Sequence, residues 1–187
     1  MPALDEILVE ELQDLLHAEN QLVKALPKMA KAARDPKLRE AFQTHLEETK
    51  GHVERLKQAF ELLGAKAKAK PCKGMQGLVE EGQEIIAEGK EKEEAVADLA
   101  LAGAAQKVEH YEISGYGTLR TVAERAGHTK VAKLLAQTLA EEEKTDKLLT
   151  ELSAPLLEQA SQGEEEEPEE EDEQQASKSR RSSRSGR

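Results

Sequence analysis

Apolar residues recur every three or four positions along four long stretches of this chain, the period of one buried helix face. The first seam is Leu8, Leu12, Leu15, Glu19, Leu22, Leu26 and Met29, and the second is Leu38, Phe42, His45, Thr49, His52 and Leu56. The third is Leu101, Ala105, Val108, Glu112, Gly115, Leu119 and Val122. The fourth is Val131, Leu135, Thr138, Glu142, Thr145, Leu149 and Leu152. Each is interrupted near its centre by polar or acidic groups. Glu48 lies three after His45 and four before His52, Glu109 precedes Glu112 by three, and Asp146 follows Glu142 by four. These spacings put each set on one helix face.

Local breakers give the boundaries. A first helix is predicted from about Leu4 to Arg34, with Pro27 expected to kink or break it. Asp35-Pro36 supplies an N-cap followed by proline at the first helical position, opening a second helix that runs to about Leu63 and closes at Gly64. Ala65–Lys73 reads as loop, with Pro71 and Gly74 as breakers, and a short amphipathic helix is predicted over Gly77–Glu88. A third long helix is predicted over Glu91–Ala126 and a fourth from Thr129 to about Leu157, with Gly127 between them. Gly115 and Gly117 weaken the third, and point either to close packing or to a π-bulge. The expected fold is all-α: an antiparallel four-helix bundle of two hairpins, ferritin-like in its one long crossover, which carries the short helix. It should occupy residues 1–160.

Composition agrees. Charged residues make up 35% of the chain and aromatics 2%, with Phe42, Phe60, Tyr111 and Tyr116 the complete set, as expected of long helices rather than sheets. Residues 161–187 differ. Positions 164–173 hold nine acids in ten and 178–187 hold five basic residues, with nothing apolar to bury, so this tail is expected to be disordered. The formal net charge is −11, which disfavours nucleic acid and favours cations, although the basic end offers a weak contact. The single cysteine, Cys72, excludes an intrachain disulfide and fits a reducing cytosol. MPALDEILVEEL lacks a signal-peptide pattern and no apolar run suits a membrane helix, so a cytoplasmic location is expected.

The seam interruptions share a height. Glu112 lies fifteen residues before Gly127 and Glu142 fifteen after it; Glu19 lies sixteen before Asp35 and Glu48 thirteen after it. At ~1.5 Å per residue, the offset is roughly one helical turn. One ionised carboxylate buried alone costs several kcal/mol, and several together also repel. Two divalent cations would relieve both penalties. Carboxylate oxygens with an imidazole or two suit iron or manganese first, with zinc a further candidate. The candidate ligands are Glu19, His45, Glu48, Glu109, Glu112 and Glu142. His52 and Asp146 stand beside this set, as ligands or as hydrogen-bond partners of ligands. The alternative is that these glutamates lie at seam edges, reach solvent and pair with lysines.

The stretches HLEETKGHVERL (45–56), AAQKVEHYEISGYGTL (104–119) and LLAQTLAEEEKTDKLLTEL (134–152) closely resemble the YciE/YciF family of bacterial ferritin-like stress proteins. AENQLVKALPKMA (18–30) and CKGMQGLVEE (72–81) are similar too, so the resemblance covers about residues 4–155. It implies a homodimeric bundle with a dinuclear metal site and a role in stress response. The wider ferritin-like pattern places a glutamate on the first and third helices and Glu-x-x-His on the second and fourth. Glu19 and Glu112 match it, and Glu109-x-x-Glu112 resembles the paired glutamates of rubrerythrin-like proteins. This chain departs from the pattern by having His45-x-x-Glu48 in reversed order and no histidine near Glu142.

The sequence therefore carries two function classes. One is a stress-response protein with two metals bridged by Glu48 and Glu142, acting on peroxide or oxygen. The other is a non-catalytic, stress-induced bundle acting as a binding or structural protein. An iron-storage shell is a third class, for which no symmetric contact surface is evident.

Overall fold

The computed structural model describes residues 3–165, with side chains described as far as 162. Helix α1 spans Ala3–Ala32 and α2 spans Pro36–Leu62. In the turn between them, the Asp35 carboxylate accepts from Lys37 N at 2.8 Å and Leu38 N at 2.9 Å, capping two of the four free N–H groups of α2. The buried Asp98 carboxylate ties the same turn to the opposite hairpin, accepting from Arg34 N at 3.0 Å and Asp35 N at 2.5 Å. The crossover then carries α3 (Lys73–Glu88) and a 3-10 turn (Gly89–Glu91), before α4 (Glu94–Arg125) and α5 (Thr129–Glu165).

Gly64 and Gly127 stop α2 and α4. Their φ angles are 61° and 83°, a left-handed conformation that costs glycine no Cβ clash. Each completes a Schellman cap: Ala65 N donates to Phe60 O at 2.9 Å, and His128 N to Ala123 O at 2.8 Å.

Four boundaries differ from expectation. Pro27 neither breaks nor ends α1. Pro27 is exposed, so its missing backbone donor removes one helix hydrogen bond without disturbing a core side chain. Helix α3 begins at Lys73 rather than Gly77, because Cys72 caps it through a 3.4 Å contact from Met75 N to Sγ. Gly74 does not break it. A Cβ there would lie 2.8 Å from Tyr111 Cε2, so glycine is what lets α3 approach α4. Helix α4 begins at Glu94 rather than Glu91, after the 3-10 turn. Helix α5 runs on through Pro155 to Glu165, past the expected end at Leu157. The tail from 166 onward, expected to be disordered, lies outside the described residues.

Helix α1 packs along α2, α4 along α5, α2 beside α5 and α1 beside α4, while α3 lies across α1 and α4. This is an all-α, ferritin-like four-helix bundle with one helix-bearing crossover. Gly115 gives close packing and no π-bulge: α4 is α-helical throughout, and a Cβ at 115 would stand 3.0 Å from Leu15 Cδ2.

The core is divided along the bundle axis. At one end Leu8, Leu12, Leu56, Phe60, Leu119 and Leu135 cluster. At the other, Leu22, Leu38, Phe42, Met75, Leu101 and Leu149 do so. Burying each such side chain contributes about 1.5–3 kcal/mol. The ends hold the bundle together, and they clamp a polar layer between them.

Candidate metal centre

Every long helix delivers part of that layer at the point where its apolar seam breaks. Helix α1 brings Glu19, α2 brings His45, Thr49 and His52, α4 brings Glu109 and Glu112, and α5 brings Thr138, Glu142 and Thr145. None is more than 7% exposed. Nine buried side-chain nitrogen or oxygen atoms among the described residues lack a hydrogen-bond partner, and all but Arg120 Nε belong to this layer. Glu112 and Glu142 leave both oxygens without a hydrogen bond, Glu19 and Glu109 one each, and the two histidines one ring nitrogen each, although His52 Nδ1 and Glu142 Oε1 stand 2.9 Å apart and meet as an ion pair when the ring is protonated. A native interior rarely tolerates so many in one place.

The unpaired atoms converge in two groups. His45, Glu109, Glu112 and Glu142 form one, and Glu19, His52 and Glu142 the other, with the ligand-type atoms of each within 4.8 Å of one another. Glu142 belongs to both, offering one oxygen to each histidine. His45 Nε2 lies 3.3 Å from Glu109 Oε1 and 3.7 Å from Glu142 Oε2. His52 Nδ1 lies 2.9 Å from Glu142 Oε1 and 3.4 Å from Glu19 Oε1. The Tyr116 hydroxyl donates to Glu19 Oε1 from the apolar side.

The outward nitrogens fix how the rings present themselves. His52 Nε2 meets Glu141 Oε2 at 2.9 Å. Arg55 grips that carboxylate through two contacts of 2.7 Å and also donates to Thr138 Oγ1 at 2.8 Å. In the neutral ring that a metal would bind, a proton on Nε2 leaves the Nδ1 lone pair facing Glu19 and Glu142. His45 is arranged the other way round. The Thr145 hydroxyl donates to Glu141 O at 3.1 Å, so its oxygen accepts from His45 Nδ1 at 3.3 Å and the Nε2 lone pair faces inward. A carboxylate behind a histidine raises its basicity as a ligand, and is the usual companion of histidine at metal sites.

Charge in the layer is strained without a cation. Burial first, then the Glu142 carboxylate, pushes Glu19 and Glu109 above the ordinary carboxylate range. Burial and then Glu19, Glu142 and Glu109 do the same to Glu112. Burial pulls the His45 imidazolium down, but Glu109, Glu48 and Glu142 outweigh it and push its pKa up to about 9. His52 behaves alike, with burial overridden by Glu142 and Glu19, and reaches about 10. Without a metal, protons hold these carboxylates together. Divalent cations fit the same donor set of hard oxygens and two imidazole nitrogens.

Five of the six residues singled out from sequence enter the two groups: Glu19, His45, Glu109, Glu112 and Glu142. Glu48 does not. Its side chain is 25% exposed, with Oε2 at 3.6 Å from His45 Nδ1 and Oε1 at 3.7 Å from Lys144 Nζ. The turn of α2 directs it toward the surface, so it flanks His45 from outside. His52 lies inside, in the second group. Asp146 lies outside, accepting from Gln106 Nε2 at 3.1 Å beside the exposed His110 at 3.2 Å. Arg55, Glu141 and Tyr116 carry contacts that the seams do not announce.

A family model described as "Domain of unknown function (DUF892)" matches residues 3–162. The chain belongs to this family. It is 49% identical over 154 residues to Protein YciF of Escherichia coli strain K12, a match covering 82% of this chain and 92% of that protein. The crystal structure of the E. coli stress protein YciF superposes with a TM-score of 0.79 at 45% identity, covering 84% of this chain and 99% of that one. YcfI from Rhodopseudomonas palustris superposes at 0.76 with 38% identity, covering 80% of this chain and 94% of that one. A protein from Xanthomonas campestris, at 24% identity and a TM-score of 0.63, shares the fold. The resemblance in the sequence motifs thus holds over most of the chain. No helix among the described residues is long and apolar enough to cross a membrane.

Proposed function

We propose that this DUF892 protein is a cytoplasmic, homodimeric stress-response protein whose buried layer binds two divalent metal ions through a shared Glu142. One ion would be held by His45, Glu109, Glu112 and Glu142, and the other by Glu19, His52 and Glu142. Iron or manganese suits the carboxylate-rich set best, with zinc the third candidate. The observation that carries the reading is the set of unpaired, inward-facing atoms on Glu19, Glu109, Glu112 and Glu142 and the two histidines. Such a pair of redox metals supplies electron transfer to peroxide or oxygen.

The protein's own part is to hold the donors without rearrangement. Apolar clusters above and below exclude water and fix the rotamers. Arg55 and Glu141 hold the His52 ring, and Thr145 holds His45. Metal binding would displace the protons that the raised carboxylates and imidazoles carry.

The experiment is stoichiometry. Metal-free protein loaded with Fe(II) or Mn(II) should retain two ions per chain after desalting, with anomalous scattering in crystals at both groups. Retention of none would exclude the reading. The non-catalytic alternative draws on one observation: protonated His45 and His52 each lie between carboxylates and neutralise part of the layer without metal. In that case Glu142→Gln would leave the protein's stress phenotype unchanged. Sedimentation tests the dimer, and a large shell-like particle would instead revive the storage reading.

A further inference from the structure

A layer at most 7% exposed must still be filled from solution. Accepting the metal reading above, we propose that cations reach it through the groove between α2 and α5, where Glu48 receives the incoming ion in exchange for Lys144 and passes it to the His45 side.

The apolar pocket under α3 and the groove beside the 3-10 turn touch no member of the polar layer. The two apolar clusters plug the ends of the bundle. On the α1–α4 face a groove of similar size, about 340 Å³, runs over Leu15, Tyr111 and Leu119 and touches no member of the polar layer. The α2–α5 groove, also about 340 Å³, is different: its lining includes Glu48, Lys144 and Thr145. Thr145 belongs to the layer and contacts His45. The groove therefore ends one imidazole ring away from the Glu109 and Glu142 carboxylates.

Two carboxylates stand where the layer meets this seam, and both side chains are 25% exposed. Glu141 is locked by two 2.7 Å contacts to Arg55 and a 2.9 Å contact to His52. Glu48 is not locked. It has one oxygen at 3.7 Å from the Lys144 ammonium and the other at 3.6 Å from His45, both longer than a hydrogen bond. A loosely held carboxylate with an ammonium on its outer side and an imidazole on its inner side can exchange one cation for another. It offers an oxygen ligand in the groove while the ion is still partly hydrated, which lowers the cost of shedding water before the ion enters the buried layer. Lys144, 73% exposed, is free to swing into solvent when displaced.

The test follows Co(II) absorbance by stopped flow on mixing with metal-free, full-length protein, with equilibrium stoichiometry measured separately. Glu48→Gln should slow uptake tenfold or more, while leaving stoichiometry unchanged and Kd within about threefold. Lys144→Gln should speed uptake, most strongly at low ionic strength. Glu47→Gln, the same charge change on a side chain 70% exposed one residue away, should leave the rate unaltered. Equal slowing by both glutamate variants would reduce the effect to net charge and overturn the proposal. So would an unchanged rate in Glu48→Gln, or a loss of stoichiometry, which would make Glu48 a ligand. If the unmodified protein binds no Co(II) at all, the metal reading itself fails and the route falls with it.

Discussion

His45 and His52 sit two turns apart on one face of α2, both turned into the same layer, yet they are held in different ways. His52 is fixed from behind by Glu141, itself gripped by Arg55 and through it tied to Thr138. His45 has only the Thr145 hydroxyl at 3.3 Å and Glu48 at 3.6 Å. If the layer binds metal as proposed, the difference separates two jobs in one centre. A ring with a clamped outer nitrogen presents a fixed lone pair, whereas a ring with loose partners can adjust as a neighbouring carboxylate moves. The two sides meet in Glu142, which offers one oxygen to each.

The severest way to break the comparison is to remove what both sides share. Glu142→Gln keeps the volume and discards the charge, so it should abolish retention of both ions rather than one. Calorimetric titration with Mn(II) should show no high-affinity phase. Retention of a single tight ion would show that the two groups do not depend on a common carboxylate.

Next come the outer partners. Glu141→Gln or Arg55→Ala should weaken metal binding about 10–100-fold, the usual cost of losing a partner behind a ligating histidine. Glu48→Gln should shift Kd by about threefold at most. Equal losses at the two positions would erase the distinction between a clamped side and a loose side.

These partners also mark how far the sequence reaches. The seam breaks at Glu19, Glu112 and Glu142, and their distances of fifteen or sixteen residues to the hairpin turns, follow from helix period and rise, so the level of the layer is legible in the sequence. Glu48 is different. At ~100° per residue it lies about 60° around α2 from His45, within the error of a wheel drawn from spacing. A side chain at that angle turns inward or outward according to which helix lies next to it. Turn lengths pair α1 with α2 and α4 with α5, but do not say that α2 packs beside α5. The Arg55–Glu141–His52 contacts form across that unannounced interface. Glu141 stands one position off its seam, and its long side chain bends back to a histidine on another hairpin. Pro27 and Gly74 stand inside helices for a related reason: exposure at one and the Tyr111 ring at the other decide their effect, and neither is a local property.

Acidity sharpens the comparison further. In the metal-free protein His45, His52, Glu19, Glu109 and Glu112 all bind protons more tightly folded than unfolded. The native state therefore holds more protons, and stability falls as pH rises. The imidazole share is complete below the ordinary value of 6.5 and is lost as pH passes about 9 for His45 and about 10 for His52. Glu48 and Glu141 have the opposite sign, held low chiefly by His45 and by Arg55 respectively, and their contribution is lost only as pH falls through the carboxylate range. Urea unfolding midpoints measured with chelator should decline between pH 6.5 and 10. With excess Mn(II) the decline should flatten or reverse, because deprotonation then favours binding. Parallel curves with and without metal would mean that the ions do not replace those protons.

The smallest expected effect lies just outside the layer. Asp146 follows Glu142 by one helical turn and is acidic, so by spacing alone it competes for a place in the centre. Its carboxylate instead faces Gln106 and the exposed His110. Partly exposed pairs of this kind are worth about 0–1 kcal/mol. Asp146→Ala should leave metal stoichiometry and Kd unchanged and lower the unfolding free energy by about 0.5 kcal/mol or less. A tenfold loss of affinity would move the boundary of the centre outward by a turn of α5. It would also require the His45 side, the looser of the two, to draw on a ligand that the resting geometry holds away from it.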